Sequence, residues 1–221
     1  MFAGRKFAAF LFDMDGTVIN SIAAAERVWT DWAQRQGLDV ATFLPTIHGK
    51  RAIETIGELM LPGVDPVLEA DALLKAEADD LEGIVPIAGA VAFLKSLPPE
   101  RWAIATSAPR ELALLRMKAA GIPVPAVIVA AEDVTRGKPA PDCFQLAARR
   151  LGFEAHDCLI FEDAPAGIAA AEAAGASLMV ISATHTHPIA TPHVSIASYD
   201  ALGIAVDDTG WIFLEPQRDA A

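Results

Sequence analysis

The sequence predicts an α/β fold: a parallel sheet covered by helices on both faces, interrupted once by an all-helical insert. Three observations carry that prediction. Short apolar runs recur along the chain without polar alternation, alanine-rich stretches of helical length separate them, and residues 21–83 contain no convincing strand pattern. Strands buried on both faces read as continuous apolar runs, and alternation of strand with helix implies parallel pairing.

The strand candidates, in order, are residues 7–12, 102–105, 126–129, 158–161 and 177–181. Helices are expected over 88–97, 111–120, 142–151 and 165–174. Pro165 suits a first helical turn, and Gly121, Gly152 and Gly175 suit helix stops. Within the insert, amphipathic spacing marks helices at 23–36, 51–60 and 66–81, the last of them acidic. Its stretch Glu77-Ala78-Asp79-Asp80 reads as a solvated face. At the C-terminal side, residues 204–206 and 211–214 flank Asp207-Asp208-Thr209-Gly210, the pattern of a β-hairpin.

Bulk properties narrow the function classes. The 221 residues suffice for one large domain, or one domain with a smaller insert, and 53% hydrophobic against 21% charged residues supports a sizeable core. A formal charge of -12 argues against nucleic acid or an anionic membrane as partner. An anionic substrate would therefore need locally focused basic residues. Cys143 and Cys158 lie in apolar segments without metal-ligand spacing, so a buried, reduced pair in a cytoplasmic protein is expected. The apolar run after Arg5 and Lys6 enters Asp13 too soon for a signal peptide. No stretch approaches the roughly 20 apolar residues that span a bilayer. A monomer is the default expectation.

Polar residues gather at strand ends. Asp13-Met14-Asp15 follows the first strand, Thr106-Ser107 the second, and Glu162-Asp163 the fourth. Parallel sheets bind ligands at the carboxyl ends of their strands, so these groups are expected to share one pocket. Carboxylates so crowded need a counter-charge. Mg²⁺, held by one or two carboxylates, waters and a substrate phosphate, is the simplest source. An aspartate can serve as a covalent nucleophile for phosphoryl groups. Lys138, in the stiff loop Arg136-Gly137-Lys138-Pro139, is the candidate cation for the phosphoryl oxygens.

Four segments carry a family resemblance. Asp13-Met14-Asp15-Gly16-Thr17, Ile104-Ala105-Thr106-Ser107, Gly137-Lys138-Pro139 and Phe161-Glu162-Asp163-Ala164-Pro165-Ala166-Gly167-Ile168 resemble, in order and spacing, the four motifs of the haloacid dehalogenase superfamily. The insert is similar to the helical cap of its β-phosphoglucomutase-like branch. The wording Ile47-His48-Gly49-Lys50-Arg51 is similar to that of sugar and polyol phosphatases, of the 2-deoxyglucose-6-phosphate and glycerol-phosphate type. The resemblance implies a Rossmann-like core at 1–18 and 85–221 with a cap at 19–84 inserted after the first strand. It also implies an Mg²⁺-dependent phosphatase acting on a small phosphorylated metabolite.

Roles transfer by position under that resemblance. Asp13 matches the nucleophile that becomes an aspartyl-phosphate, and Asp15 the general acid/base. Thr106 matches the hydroxyl that binds the transferred phosphoryl group, assisted by Ser107, and Lys138 matches the steadying cation. Glu162 and Asp163 match the magnesium acids, joined by Asp13 and the backbone carbonyl of Asp15. One departure is Asn20, an amide where the family carries an acid, which bears on the hinge between core and cap.

Each residue also has an ordinary explanation. Asp-Gly pairs favour turns, acids favour helix N-termini, and a loop lysine is usually solvated. The agreement of four motifs in register outweighs these readings. In the cap, His48, Lys50 and Arg51 supply the focused positive charge expected above and are candidates for substrate contact. His185, His187 and His193 lack helical spacing or a neighbouring acid and read as surface loop. The Asp13/Asp15 pair with Glu162-Asp163 speaks against a dehalogenase, and intact motifs speak against a non-enzymatic binding protein. A phosphomutase is the nearest alternative. The cap histidine of that branch is replaced here by Ala25, which favours hydrolysis.

Overall fold

Side-chain alternation along the buried strands sorts the core into two layers, one on each face of the sheet. The computed structural model describes residues 2, 4–187 and 189–216; Met1, Ala3, Pro188 and the last stretch of the expected core span, 217–221, lie outside them. The central sheet contains β2 (Phe10–Phe12), β5 (Trp102–Ala105), β6 (Val127–Val129), β7 (Leu159–Glu162), β8 (Ser177–Ile181) and β9 (Val194–Ile196). Their order is β6-β5-β2-β7-β8-β9, and every pairing is parallel. Chain order reverses around β2, which has β5 on one side and β7 on the other, so a crevice opens at its carboxyl end.

Phe10, Phe12, Trp102, Ile104, Leu159 and Phe161 face one layer. There Phe12 stacks on Phe161 at 4.5 Å, with Phe93 and Tyr199 around them. Leu11, Ala103, Ala105 and Ile160 face the other, against α7 (Asp142–Leu151). Burying a phenylalanine contributes about 2–3 kcal/mol, so the aromatic layer anchors β2 immediately before Asp13.

The apolar run at 7–12, expected as one strand, is two. β1 (Lys6–Phe7) pairs with β11 (Ile212–Pro216), which also pairs with β10 (Leu202–Val206) in the C-terminal hairpin. Between β1 and β2 the backbone of Ala8 leaves the ladder. Its N–H donates to the Asp157 carbonyl at 2.8 Å, and its carbonyl accepts from Arg101 at 3.1 Å.

β3 (Ile19–Asn20) and β4 (Val85–Pro86) form an antiparallel ribbon through which the chain leaves and re-enters the sheet layer. Asn20 sits in this ribbon, and its side chain accepts from the Ile22 N–H that opens α1. The helices between are α1 (Ile22–Arg35), α2 (Val40–Phe43), α3 (Ala52–Glu58) and α4 (Pro66–Asp79). They close over a separate cluster of Val28, Trp29, Trp32, Phe43, Ile47, Ile56 and Leu73. On the core, α5 (Ala90–Ser96), α6 (Arg110–Ala119) and α8 (Pro165–Ala173) complete the covering layers. Cys143 and Cys158 are both free and buried. Among the described residues, no helix is long and apolar enough to cross a membrane.

Candidate active site

Strand register brings the acids together. Phe12 is paired with Phe161, so the next residue on each strand, Asp13 and Glu162, emerges side by side. Alternation then turns both carboxylates away from the aromatic layer, towards the α7 face. Lys138, in the loop before α7, meets them there. Its Nζ donates to Asp13 Oδ1 at 2.6 Å and to Glu162 Oε1 at 2.8 Å, while lying 4.8 Å from the Phe144 ring centre.

Asp163 joins from the turn before α8, where the Thr17 hydroxyl donates to its Oδ1 at 3.0 Å. The other Glu162 oxygen accepts from the backbone N–H groups of Asp163 and Ala164 at 2.7 and 2.8 Å. Close packing requires glycine at two positions. A Cβ at Gly167 would fall 1.5 Å from Glu162 Oε1, and one at Gly16, whose φ is +88°, would fall 2.0 Å from Asp163 Oδ2.

The electrostatics are unbalanced. Oxygens of Asp13, Glu162 and Asp163 lie within 4.8 Å of one another, all buried, and Lys138 is the cation that touches the cluster. Burial pushes the Asp13 carboxyl up to about 8, with Lys138 opposing the rise and Glu162 adding to it. Burial likewise drives Asp163 well above the ordinary range, reinforced by Glu162 and Asp13. Burial alone would lower the Lys138 ammonium, but Asp13 and Glu162 outweigh it and hold it up. Lys138 therefore stays charged while the acids lack sufficient positive charge to ionise together. This all-oxygen donor set fits a hard divalent cation, which would supply the missing charge.

Asp15 stands apart. Its carboxylate is turned to Ser21, whose hydroxyl donates to Oδ1, and to Arg116, whose Nη1 donates to the same oxygen at 3.0 Å. The metal contact expected of Asp15 is through its backbone carbonyl and does not call on this side chain. Thr106, at the end of β5, is buried, and its Oγ1 accepts from the Ala108 N–H at 3.0 Å. Thr106 and Ser107 line one cavity together with Asp13, Asp15, His48 and Lys50. The Ser107 hydroxyl also donates to the Gly49 carbonyl at 2.8 Å, across the boundary between helical insert and sheet layer.

The basic residues of the insert do not act alike. His48 Nε2 lies 3.3 Å from Glu26, and Lys50 Nζ donates to Glu58 at 2.8 Å; both line the cavity. Arg51, expected to face substrate, does not line it. Its guanidinium donates to the carbonyls of Ala131, Val134 and Thr135, and pairs with Glu54. Glu54 in turn accepts from the Gly137 N–H at 3.1 Å, next to Lys138. A guanidinium whose two Nη groups are held by three carbonyls and a carboxylate fastens the insert to the core.

Two residues near the site, Arg116 and Tyr199, carry no expectation from the sequence, and two others, Glu77 and His185, were expected at the surface. Arg116, on α6, is buried between Asp15 and Glu77. Glu77, expected on a solvated face, is buried against it, as the four-residue spacing from buried Leu73 on α4 would have indicated. The buried Tyr199 hydroxyl donates to the Thr17 carbonyl at 3.1 Å. His185 Nε2 donates to the Asp163 carbonyl at 2.9 Å, while His193 pairs with Glu172 and His187 lies beside Thr186. The three histidines thus serve separate local contacts.

Fold and site together define a hydrolase-type α/β protein whose nucleophile candidate sits at the reversal point of a parallel sheet. The chain belongs to the haloacid dehalogenase-like hydrolase family, whose model matches residues 7–175. Among curated relatives it is 42% identical over 190 residues to hexitol phosphatase A of Escherichia coli, covering 84% of this chain and 86% of that one. It is 33% identical over 193 residues to glycerol-1-phosphate phosphohydrolase 2 of Saccharomyces cerevisiae, covering 81% and 76%. Among solved structures, a hydrolase from Pseudomonas syringae superposes with a TM-score of 0.69 at 27% identity, covering 79% of this chain and 84% of that one.

Proposed function

We propose that the protein is an Mg²⁺-dependent phosphatase of small phosphorylated sugars or polyols, working through an aspartyl-phosphate on Asp13. The observation that carries this reading is the division of labour between two carboxylates. Asp13 is gripped by Lys138 among buried acids, whereas Asp15 points away with Oδ2 free of hydrogen bonds among the described residues. Asp13 Oδ attacks phosphorus, the bond from phosphorus to the alcohol oxygen breaks, and Asp15 delivers a proton to the departing alkoxide. Asp15 then removes a proton from water, which attacks phosphorus and breaks its bond to Asp13, releasing inorganic phosphate. Lys138 steadies the nucleophile and the phosphoryl oxygens, and Thr106 donates to them. Asp13, Glu162 and Asp163 would hold Mg²⁺, which when bound supplies charge stabilisation to the phosphoryl group.

The names of the two curated relatives, a hexitol phosphatase and a glycerol-phosphate phosphohydrolase, support the substrate class. Ala25 in the cavity wall supports hydrolysis over phosphoryl transfer between sugars, since position 25 itself carries no titratable side chain. The test is release of inorganic phosphate from a panel of hexitol, glycerol and hexose phosphates, with and without Mg²⁺. Metal-dependent release from at least one polyol or sugar phosphate is expected. Activity confined to other phosphate esters, or none, would reject the assignment.

A further inference from the structure

Arg116 is the least ordinary residue near the cavity. An arginine that is 4% exposed must have its charge met, because an unpaired buried cation is strongly unfavourable. It is met from both sides. Nη1 donates to Asp15 Oδ1 at 3.0 Å, and Nη2 lies 3.2 Å from Glu77 Oε1. Glu77 comes from α4 of the insert, Arg116 from α6 of the core, and Asp15 from the turn after β2. No other cation pairs with Asp15 or Glu77 among the described residues.

The placement fixes the orientation of a carboxylate. Ser21 and Arg116 both donate to Asp15 Oδ1, so that oxygen is occupied as an acceptor. Oδ2 is thereby left as the carboxylate oxygen of Asp15 that is free of hydrogen bonds among the described residues. Arg116 can hold this arrangement because Glu77 pairs with it from the other side, and a planar guanidinium presents its donors in a rigid fork that an ammonium on a flexible stem lacks. Leu112, Ala113 and Met117 pack on the same face of α6 and keep the arginine stem in place.

We propose that Arg116 is a positioning residue for Asp15, and that Glu77 completes the device from the helical insert. The inference rests on the phosphatase reading above, and it is read out in the proton-donating half of the reaction, where the two substrates differ. Loss of Arg116 leaves Asp13 and its metal site intact but lets the Asp15 carboxyl rotate, so protonation of the leaving oxygen becomes inefficient.

Leaving-group dependence separates this role from a general loss of folding. Glycerol phosphate expels a strongly basic alkoxide that needs the proton, whereas para-nitrophenyl phosphate expels a weakly basic phenolate that does not. The ratio of kcat/KM for glycerol phosphate to kcat/KM for para-nitrophenyl phosphate is the readout, because it covers only the steps up to release of the alcohol. In Arg116→Met it is expected to fall by about 10- to 100-fold, a substantial part of what general acid catalysis contributes. Arg116→Lys and Glu77→Gln, which keep the volume of the site, are expected to lower the ratio in the same direction, by about 3-fold or more. These two carry the test if Arg116→Met does not fold by circular dichroism. An unchanged ratio in every folded variant overturns the role of Arg116. If glycerol phosphate is not hydrolysed, the hexitol or hexose phosphate that is hydrolysed takes its place in the ratio. A wild-type enzyme that hydrolyses none of these esters instead rejects the phosphatase reading, and the inference falls with it.

Discussion

The Lys138 ammonium lies 2.6 Å from Asp13 Oδ1, and both groups are almost wholly buried. Contact so close, in so dry a setting, fixes the carboxylate where a phosphoryl group would arrive. The same ammonium reaches Glu162, so one cation serves two acids on adjacent strands.

Replacing Lys138 by methionine keeps the stem and removes the charge. Turnover is expected to fall by about 10²–10³-fold, the scale set by loss of one preorganised charge-stabilising group. The fold should lose about 3 kcal/mol, because breaking a buried pair leaves Asp13 and Glu162 uncompensated. Steady-state kinetics and thermal unfolding check the two parts. A variant with wild-type turnover would remove Lys138 from the chemistry.

Metal removal should inactivate the enzyme reversibly. Excess chelator is expected to abolish turnover and added Mg²⁺ to restore it, with the ion also raising the unfolding temperature because it binds only the folded acids. Gly167→Ala should weaken Mg²⁺ by about 10-fold or more, since its Cβ would lie 1.5 Å from Glu162 Oε1 and displace that side chain. Titrating Mg²⁺ against activity and against melting temperature measures both. Indifference to chelator would contradict the metal assignment.

Asp133 gives a pH signature away from the acidic cluster. A hydrogen bond from Arg150, aided by the Ala130 N–H and Arg110, outweighs burial and holds its carboxyl down to about 2, below the ordinary 3.8. A folded-state value below the unfolded one stabilises the fold above about pH 4, and that stability is lost as pH falls towards 2. Asp133→Asn should therefore cost about 1 kcal/mol at neutral pH, a figure reduced for partial exposure. The gap between variant and wild type should close as unfolding is measured at progressively lower pH below 4. A gap independent of pH would contradict the charge-based origin.

Arg51 should behave as a fastening and not as a substrate ligand. Because it is bound to the carbonyls of Ala131, Val134 and Thr135, Arg51→Ala is expected to impair polyol phosphates and a minimal aryl phosphate alike, by about 10-fold in kcat/KM. A loss confined to polyol phosphates in KM would return Arg51 to recognition.

Much of the site was legible because its residues sit at strand ends. Asp13, Thr106 and Glu162 each follow a short continuous apolar run, and parallel topology makes such ends converge. The split of the first apolar run was not legible, since Phe7 and Phe10 are equally apolar and only the partners of Ala8 separate their strands. Glu77 and Arg116 left a fainter trace. Each interrupts an apolar helical stripe, Glu77 four residues after Leu73 and Arg116 among Leu112, Ala113 and Met117. That spacing marks both as buried. It does not reveal that they meet each other and Asp15, because this depends on how the insert packs on the sheet layer. Arg51 was misplaced for the same reason: its cluster with His48 and Lys50 is a fact of sequence, but its partners lie about 80 residues away.

The most direct test of the mechanism is chemical trapping at Asp13. Enzyme turning over a hexitol phosphate with Mg²⁺ is quenched in acid, reduced with borohydride, digested and sequenced by mass spectrometry. A covalent aspartyl-phosphate predicts reduction of the side chain to the alcohol at position 13 alone, with none at Asp15 and none in Asp13→Asn. An unmodified Asp13 under conditions of steady turnover, or reduction at Asp15 instead, would contradict the assignment of Asp13 as nucleophile.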